Sequence, residues 1–424
     1  MMGRGSGTKH TDVISLLQGL RCLRCGELHP KNTRLSRCPT CAGLLDPEYD
    51  YAGLVQTFDW NSFRQGPRSI WRWRTLLPLE DDRFQVTLGE GDTPLVHCPR
   101  LGAQLGLDRL FVKNDGLNPT GSLKDRSIAV GIAKAREFGY RTVSVDSSGN
   151  KAASVAAYAA RAGLSALVFC PSTAPQQKLL QIKAYGAELV IVDGDRDITA
   201  RVYRELLRRH DDEWYDVGGQ NPFRAEGKKT YAYELAEAFG KRSPDWILQP
   251  AGGSAAVTKT WKGFEELRQF GVVDAAPRMV AVQAERCAPI VRAFEQELAE
   301  VLPVAARSSI AGGVAIPDPG DIGTLTLQVV RQSNGAAVAV TEEEILWGMR
   351  QLAEEGIFAE PTAAVTVPAL ARLVREGKVK RDETVVCVVT GSGFKDMQTL
   401  ETQVTLPRPV APSVTAIEAA LARH

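Results

Sequence analysis

The residues with the most evident chemistry lie in Asn118-Pro119-Thr120-Gly121-Ser122-Leu123-Lys124-Asp125-Arg126. Asn-Pro and Thr-Gly mark a turn, and Ser122 followed three residues later by Asp125 is the pattern of a helix start. Lys124 then falls in the first helical turn, shortly after the strand-like run Leu110-Phe111-Val112-Lys113. The partial positive charge of a helix N-terminus disfavours a second cation there. That pushes the lysine towards its neutral amine, the form that attacks carbonyls to make Schiff bases. The plainer alternative is a solvated surface lysine whose stem covers the helix start.

Three further loops weigh against that alternative. Ser147-Ser148-Gly149-Asn150 follows the run Val143-Ser144-Val145-Asp146 and opens a helical pattern. Hydroxyls, a glycine and free backbone N–H groups at a helix start form an anion cradle suited to an amino-acid carboxylate; plain capping by Ser148 or Asn150 is the alternative. Pro250-Ala251-Gly252-Gly253-Ser254-Ala255 also joins a strand to a helix. Its adjacent glycines let backbone approach a phosphate, although it is neither a Walker A loop nor a spaced GxGxxG fingerprint. Thr390-Gly391-Ser392-Gly393 sets a hydroxyl at another strand end. A lysine plus a phosphate cradle, without nucleotide motifs, points to pyridoxal phosphate. A protein supplies that cofactor with a Schiff-base lysine, a phosphate anchor and a partner for the ring nitrogen.

A separate constellation stands at the front of the chain. Cys22 and Cys25 form one CxxC, Cys38 and Cys41 a second, twelve residues apart. Four soft thiolates from two tight turns suit a closed tetrahedral zinc site, and iron in the same cage is the competing metal. A closed shell leaves no position for substrate, so the site is structural, and the metal supplies folding energy to a segment too short for a core. His29 is left as a surface residue.

The elements that must position these loops are short β-branched runs alternating with helical patterns from residue 107 onward. Strands are expected at 109–113, 142–146, 165–170, 188–193, 245–250, 279–283 and 384–389. Helices are expected at 122–139, 150–163, 174–186, 196–209, 225–240, 254–270, 342–356 and 362–376. This alternation predicts an α/β fold with parallel sheets covered on both faces, and ligands then sit beyond the carboxyl ends of strands. Residues 46–80, rich in aromatics without a clean period, read as an arm packed across the main body. The 424 residues carry 51 basic and 50 acidic side chains, a net charge of +1, so nothing argues for nucleic acid or an anionic membrane. No apolar run approaches the roughly 18 residues of a membrane span, and the leader at residues 1–7 lacks the apolar core of a signal peptide. Clustered cysteines beside scattered ones (Cys98, Cys170, Cys287, Cys387) fit a reducing cytoplasm.

The segments NPTGSLKDR (118–126), SSGN (147–150), LGEGDTPL (88–95), NPFRAEGKKT (221–230), EPTAA (360–364) and TGSGFKD (390–396) resemble the threonine synthase family of fold-type II pyridoxal-phosphate enzymes. IWRWRTLLPLE (70–80) and the cysteine-rich start resemble its members with a zinc-ribbon-like head. The resemblance implies a head at 1–48, a large α/β cofactor domain from 49–108 and 207–405, a small α/β domain at 109–206 that closes over the cofactor, and a tail at 406–424. It implies that Lys124 holds pyridoxal phosphate, Asn150 bonds the ring hydroxyl, Thr390 faces the ring nitrogen, and the backbone of Ala251, Gly252, Gly253, Ser254 and Ala255 binds the phosphate. Ser147 and Ser148 would receive the substrate carboxylate and Arg224 its phosphate. The implied reaction converts O-phosphohomoserine and water to threonine and phosphate, in a homodimer. Several positions depart from the family. Gly218-Gly219 stands where Asn-Ser is usual, Lys151 replaces a threonine, Ser254 and Ala255 supply no asparagine, Ser392 replaces a histidine, and Leu123 a phenylalanine. Three of these fall where substrate is expected. Lys151 would help Arg224 hold an anion or make room for a second one. The alternatives are therefore β-replacement on O-phosphoserine, as in the cysteate synthases, a β-elimination deaminase, and a cofactor-free scaffold.

Overall fold

The computed structural model of the chain describes residues 16–63, 66–174, 176–219, 221–305 and 307–422, so the leader at 1–7 lies outside the described residues. Three strands open the chain, β1 (Leu17–Cys22), β2 (Leu28–Pro30) and β3 (Leu45–Tyr49), antiparallel in the order β2-β1-β3. The main sheet has six strands: β4 (Leu95–His97), β5 (Arg109–Asn114), β10 (Trp246–Pro250), β11 (Arg278–Ala284), β12 (Ala336–Val340) and β13 (Thr384–Val389). Their order is β12-β11-β10-β13-β5-β4, parallel except for β4 against β5. A second, wholly parallel sheet of β6 (Thr142–Asp146), β7 (Ser165–Pro171), β8 (Glu188–Val192) and β9 (Trp214–Asp216) runs β8-β7-β6-β9.

Period-two geometry explains why β13 reads as one apolar run. Val386 and Val388 enter one core cluster with Ile247, Met279 and Phe264, while Val385, Cys387 and Val389 enter the opposite cluster with Leu248, Val280 and Leu370. A strand covered on both faces has no polar side to show.

Every strand expected from 109 to 389 is present. Sheet membership differs from the expected division, however. The strand at 109–114 was assigned to the small unit, yet it pairs in register with β13 from Arg109 opposite Thr384 to Asn114 opposite Val389. The short β9 instead joins the small sheet through Thr142 opposite Trp214. The small sheet therefore runs from residue 142 to 216, and a boundary at 109 and 206 cuts across both sheets. Strand period reveals that a segment is buried, not which of two similar sheets receives it. The short β4, β9 and β12 and the helices Pro99–Leu105, Pro289–Glu295 and Gly320–Gln332 were not foreseen.

The helix expected at 225–240 is broken into Pro222–Ala225, a 3-10 turn Glu226–Lys229 and Thr230–Ala238. Gly227 sits so close to the Arg126 carbonyl that any side chain would collide, which brings this run against the helix after Lys124. The aromatic arm packs as expected, with Trp73 centred 5.3 Å from Tyr233 and 5.6 Å from Trp60. The head shares its core with the main body: Leu20, Leu45 and Tyr49 belong to one cluster with Trp73, Phe223 and Ile247.

Candidate active site

Lys124 begins the helix Lys124–Glu137, and its loop is pinned on both sides. Asp125 accepts from the Thr120 N–H (2.7 Å), the Thr120 hydroxyl (2.6 Å) and the Ser154 hydroxyl (2.6 Å). Arg126 is fully buried and forks between Asp115 (2.7 and 2.9 Å) and Glu234 (2.5 and 2.8 Å). Fork geometry fixes direction as well as energy, so the backbone that carries Lys124 is held by Thr120 ahead of it and by Asp125 and Arg126 directly after it. Ser122 stands at the helix start as expected, its hydroxyl accepting from the Lys124 N–H at 3.4 Å. It forms a bridge with Gly391, flanked by bonds from the Leu123 N–H to the Thr390 carbonyl (2.9 Å) and from the Ser392 N–H to the Gly121 carbonyl (3.0 Å). The helix accordingly starts at Lys124 with no side-chain cap on Leu123. Burial is the main reason the Lys124 amine is lowered to about 8; the cations Arg224 and Lys151 add to this and Glu360 opposes it. The direction matches the expectation, and burial rather than a helix end leads.

Thr390 stands across from the lysine loop with its hydroxyl buried and without a partner among the described residues. An orphaned buried hydroxyl costs stability unless a ligand satisfies it, as a pyridine nitrogen would. The glycine loop supplies a second fit. Ala251 donates its N–H to Val282 (2.8 Å) and Ala255 donates to Gly253 (2.8 Å), so neither offers the free donor expected of it. The N–H groups of Gly252, Gly253 and Ser254 are the ones left for an anion. Gly252 cannot carry a side chain because the Gly313 carbonyl lies against it. Ser254 adopts a left-handed φ of 51°, strained for a residue other than glycine, and leads into the 15-residue helix Ala255–Gln269. These groups fit pyridoxal phosphate. Asn150 donates to both oxygens of Glu360, at 3.0 and 3.1 Å. Sequence alone assigns Glu360 of the EPTAA segment no role. Its position beside Lys124 and Asn150 depends on loops more than 200 residues apart.

On the substrate side, Gly149 rather than a serine occupies the cap of helix Asn150–Ala162, with no side-chain bond. First-turn N–H groups beside Ser147 and Ser148 thus stay available for a carboxylate, as the cradle reading requires. Arg224 is buried and donates from Nε to the Gly218 carbonyl. A Cβ at 218 would lie 2.6 Å from the Asp216 carboxylate, and that carboxylate also accepts from the Gly218 N–H at 2.7 Å and from Tyr203 at 2.8 Å. Gly218 is thus part of a local rearrangement that orients Arg224. Lys151 lies 3.6 Å from Asp146; burial lowers its amine, with Arg224 adding to the effect. Lys228, not singled out from the sequence, is buried in the turn after Arg224.

The four head cysteines converge, with all their sulfur atoms within 4.8 Å of one another. Cys22 and Cys41 are 3.4 Å apart, Cys25 and Cys38 3.7 Å, and the N–H groups of Arg24 and Cys25 point at the Cys22 sulfur. Amide donors aimed at sulfur favour a thiolate, so this donor set fits a metal. His29 contradicts its expected surface placement: it is buried, and its Nε2, 3.9 Å from the Glu27 carboxylate, has no hydrogen-bond partner among the described residues.

Residues 86–391 match the family described as "Pyridoxal-phosphate dependent enzyme". Among solved structures, threonine deaminase isoform 2 from Solanum lycopersicum superposes with a TM-score of 0.64 at 19% identity, covering 73% of this chain and 82% of that one. Fold and site together define a fold-type II pyridoxal-phosphate enzyme. A threonine synthase of Methanosarcina acetivorans is 37% identical over 404 residues, 95% of this chain and 98% of the relative. One of Methanocaldococcus jannaschii is 37% identical over 378 residues, 89% and 92% of the two chains. The chain belongs to the threonine synthase family of pyridoxal-phosphate-dependent enzymes. No helix among the described residues is long and apolar enough to cross a membrane.

Proposed function

We propose that this enzyme converts O-phosphohomoserine and water to threonine and phosphate. The observation that carries the reading is the bridge between Ser122 and Gly391, which holds the lowered amine of Lys124 opposite the orphaned hydroxyl of Thr390. Bound pyridoxal phosphate would supply the electron sink for carbanions formed on the substrate. Gly252, Gly253 and Ser254 would hold its phosphate and Thr390 its ring nitrogen, with Asn150 at the ring hydroxyl. Thr390 is a neutral partner and leaves the ring nitrogen without a counter-charge.

Ser147, Ser148 and the open helix start behind them would orient the substrate carboxylate. Lys124, once released, would act as the base that takes a proton from Cα and then from Cβ. Arg224 and Lys151 would stabilise the phosphate as it leaves Cγ. A proton then goes to Cγ, water gives its hydroxyl to Cβ, and a proton returns to Cα. One remaining proton leaves with the phosphate, which balances the reaction. Lys124→Ala is expected to abolish both the visible cofactor absorbance and threonine formation; retention of both would remove the lysine from its central place.

The head is read as a structural zinc site on Cys22, Cys25, Cys38 and Cys41. The same reading includes a homodimer and a reducing cytoplasmic setting, the first supported by family resemblance and the second by cysteine usage; sedimentation of the holoenzyme tests the dimer. A second reaction, β-replacement on O-phosphoserine, is favoured by one observation: the added cation Lys151 beside Gly218 and Gly219. Sulfite-dependent turnover of O-phosphoserine, with O-phosphohomoserine inert, would establish that alternative.

A further inference from the structure

Five lysines are buried among the described residues: Lys113, Lys134, Lys228, Lys229 and Lys259. Four have carboxylates against their amines. Lys113 meets Glu234 at 2.7 Å, Lys229 meets Glu226 at 2.7 Å and Glu266 at 2.8 Å, Lys134 meets Glu137, and Lys259 meets Asp46 and Glu226. Lys228 is 5% exposed, and among the described residues its amine has neither an acidic partner nor a hydrogen-bond acceptor, although it is not fully shut off from solvent. An isolated buried cation is expensive. A chain that pairs its other buried lysines and leaves this one open is built to receive the counter-charge from outside.

The position of Lys228 says which anion that is. It follows Arg224 by four residues, across the junction from the helix Pro222–Ala225 into the 3-10 turn Glu226–Lys229, about one turn on, and Arg224 is the charge that acts on it most strongly. Burial, and after it the charges of Arg224, Lys124, Lys151 and Lys259, drive the Lys228 amine well below the ordinary lysine range. The nearby acids are already engaged: Asp146 with Lys151, Asp216 with Tyr203 and Gly218, Glu226 with Lys229, Lys259 and Lys262. Gly252, Gly253 and Ser254 already give the cofactor phosphate its donors on a different loop.

We propose that Lys228 is a ligand of the substrate's phosphate group, completing with Arg224 and Lys151 a three-cation pocket that selects a dianionic leaving group by charge. This rests on the reading that the substrate is a phosphorylated amino acid. The pocket takes the place of the neutral hydrogen-bonding side chains that Gly218 and Gly219 lack, and it discriminates phosphate esters from uncharged esters of the same amino alcohols.

The test is calorimetric titration of inorganic phosphate into holoenzyme, wild type against K228M and K228R, with melting temperature and cofactor absorbance recorded in parallel. K228M is expected to lose at least about tenfold in phosphate affinity, about 1.4 kcal/mol, and its melting temperature should no longer rise with phosphate. K228R should retain binding, and all three proteins should keep the cofactor. Should K228M fail to fold, K228Q supplies the same comparison. Phosphate affinity in K228M within about twofold of wild type would overturn the proposal. Loss of cofactor from K228M with unchanged phosphate affinity would also overturn it, assigning the amine to the cofactor. Lys228-dependent phosphate binding in an enzyme that makes no threonine would uphold the pocket while sinking the proposed reaction.

Discussion

At the scale of single residues, the lowered amine of Lys124 has a direct consequence. Covalent capture of pyridoxal phosphate by apoenzyme needs the neutral amine, so its rate should rise through a midpoint near the value of about 8 rather than at the ordinary 10.5. Stopped-flow absorbance across the neutral and alkaline range measures this directly. The sign for stability follows from the same shift. Below about 8 the amine is charged in both folded and unfolded chains. Between there and the ordinary value only the folded chain has lost the proton, so this group makes the apoprotein more stable as pH rises across that window. Glu360→Gln removes the charge that opposes the lowering and should move the capture midpoint to lower pH; a midpoint unchanged or higher would contradict that account. Lys124 was legible because turn punctuation and a preceding strand locate it without tertiary information. Glu360 and Lys228 were not, because their meaning lies in what surrounds them. One depends on a loop from the far end of the chain meeting Asn150, the other on the absence, among the described residues, of a carboxylate that the other buried lysines possess.

At the scale of elements, the head shows both sides of the same limit. The CxxC spacing predicts that four thiols converge, and the sulfur geometry agrees with that convergence. Its burial of His29 and its shared core with Trp73 and Phe223 were not readable, since both require knowing what the head rests on. Elemental analysis is expected to find one zinc per chain, and Cys38→Ser should lower that occupancy and the melting temperature together. Proteolysis should then begin between Cys22 and Leu45, where the strands lose their cross-link. Full stability without metal would remove the structural role. Strand existence was likewise clear, while assignment of the 109–114 strand to its sheet was not. Burial on both faces is common to all these strands, and only the six-residue register with 384–389 decides the pairing.

At the scale of the whole molecule, a buried charge network joins the head to the catalytic body. Asp46 of the head engages Lys259 and Lys262 on the helix that follows the glycine loop, and both lysines reach Glu226 beside Arg224. Tyr49 donates to the same glutamate at 3.0 Å. These lysines hold the Asp46 and Glu226 carboxyls below the ordinary range. Their contribution to stability is therefore present above the unfolded value near 4 and is lost as pH falls through the folded values. Glu226→Gln leaves Lys259 and Lys229 short of charge and should cost about 3–5 kcal/mol in urea unfolding; a loss below about 1 kcal/mol would mean the network is dispensable. The strand order carries a different consequence, for the ribosome. The strand at 384–389 is the last of the main sheet's strands to be synthesised, yet it lies between 246–250 and 109–114 in the middle of that sheet. Until it emerges, the nascent chain holds two separate half-sheets with raw edges facing each other, and nothing can bridge Ser122. Translation stalled before residue 384 should therefore yield a chaperone-bound, sticky polypeptide instead of a slightly shortened enzyme, because the final strand acts as the keystone.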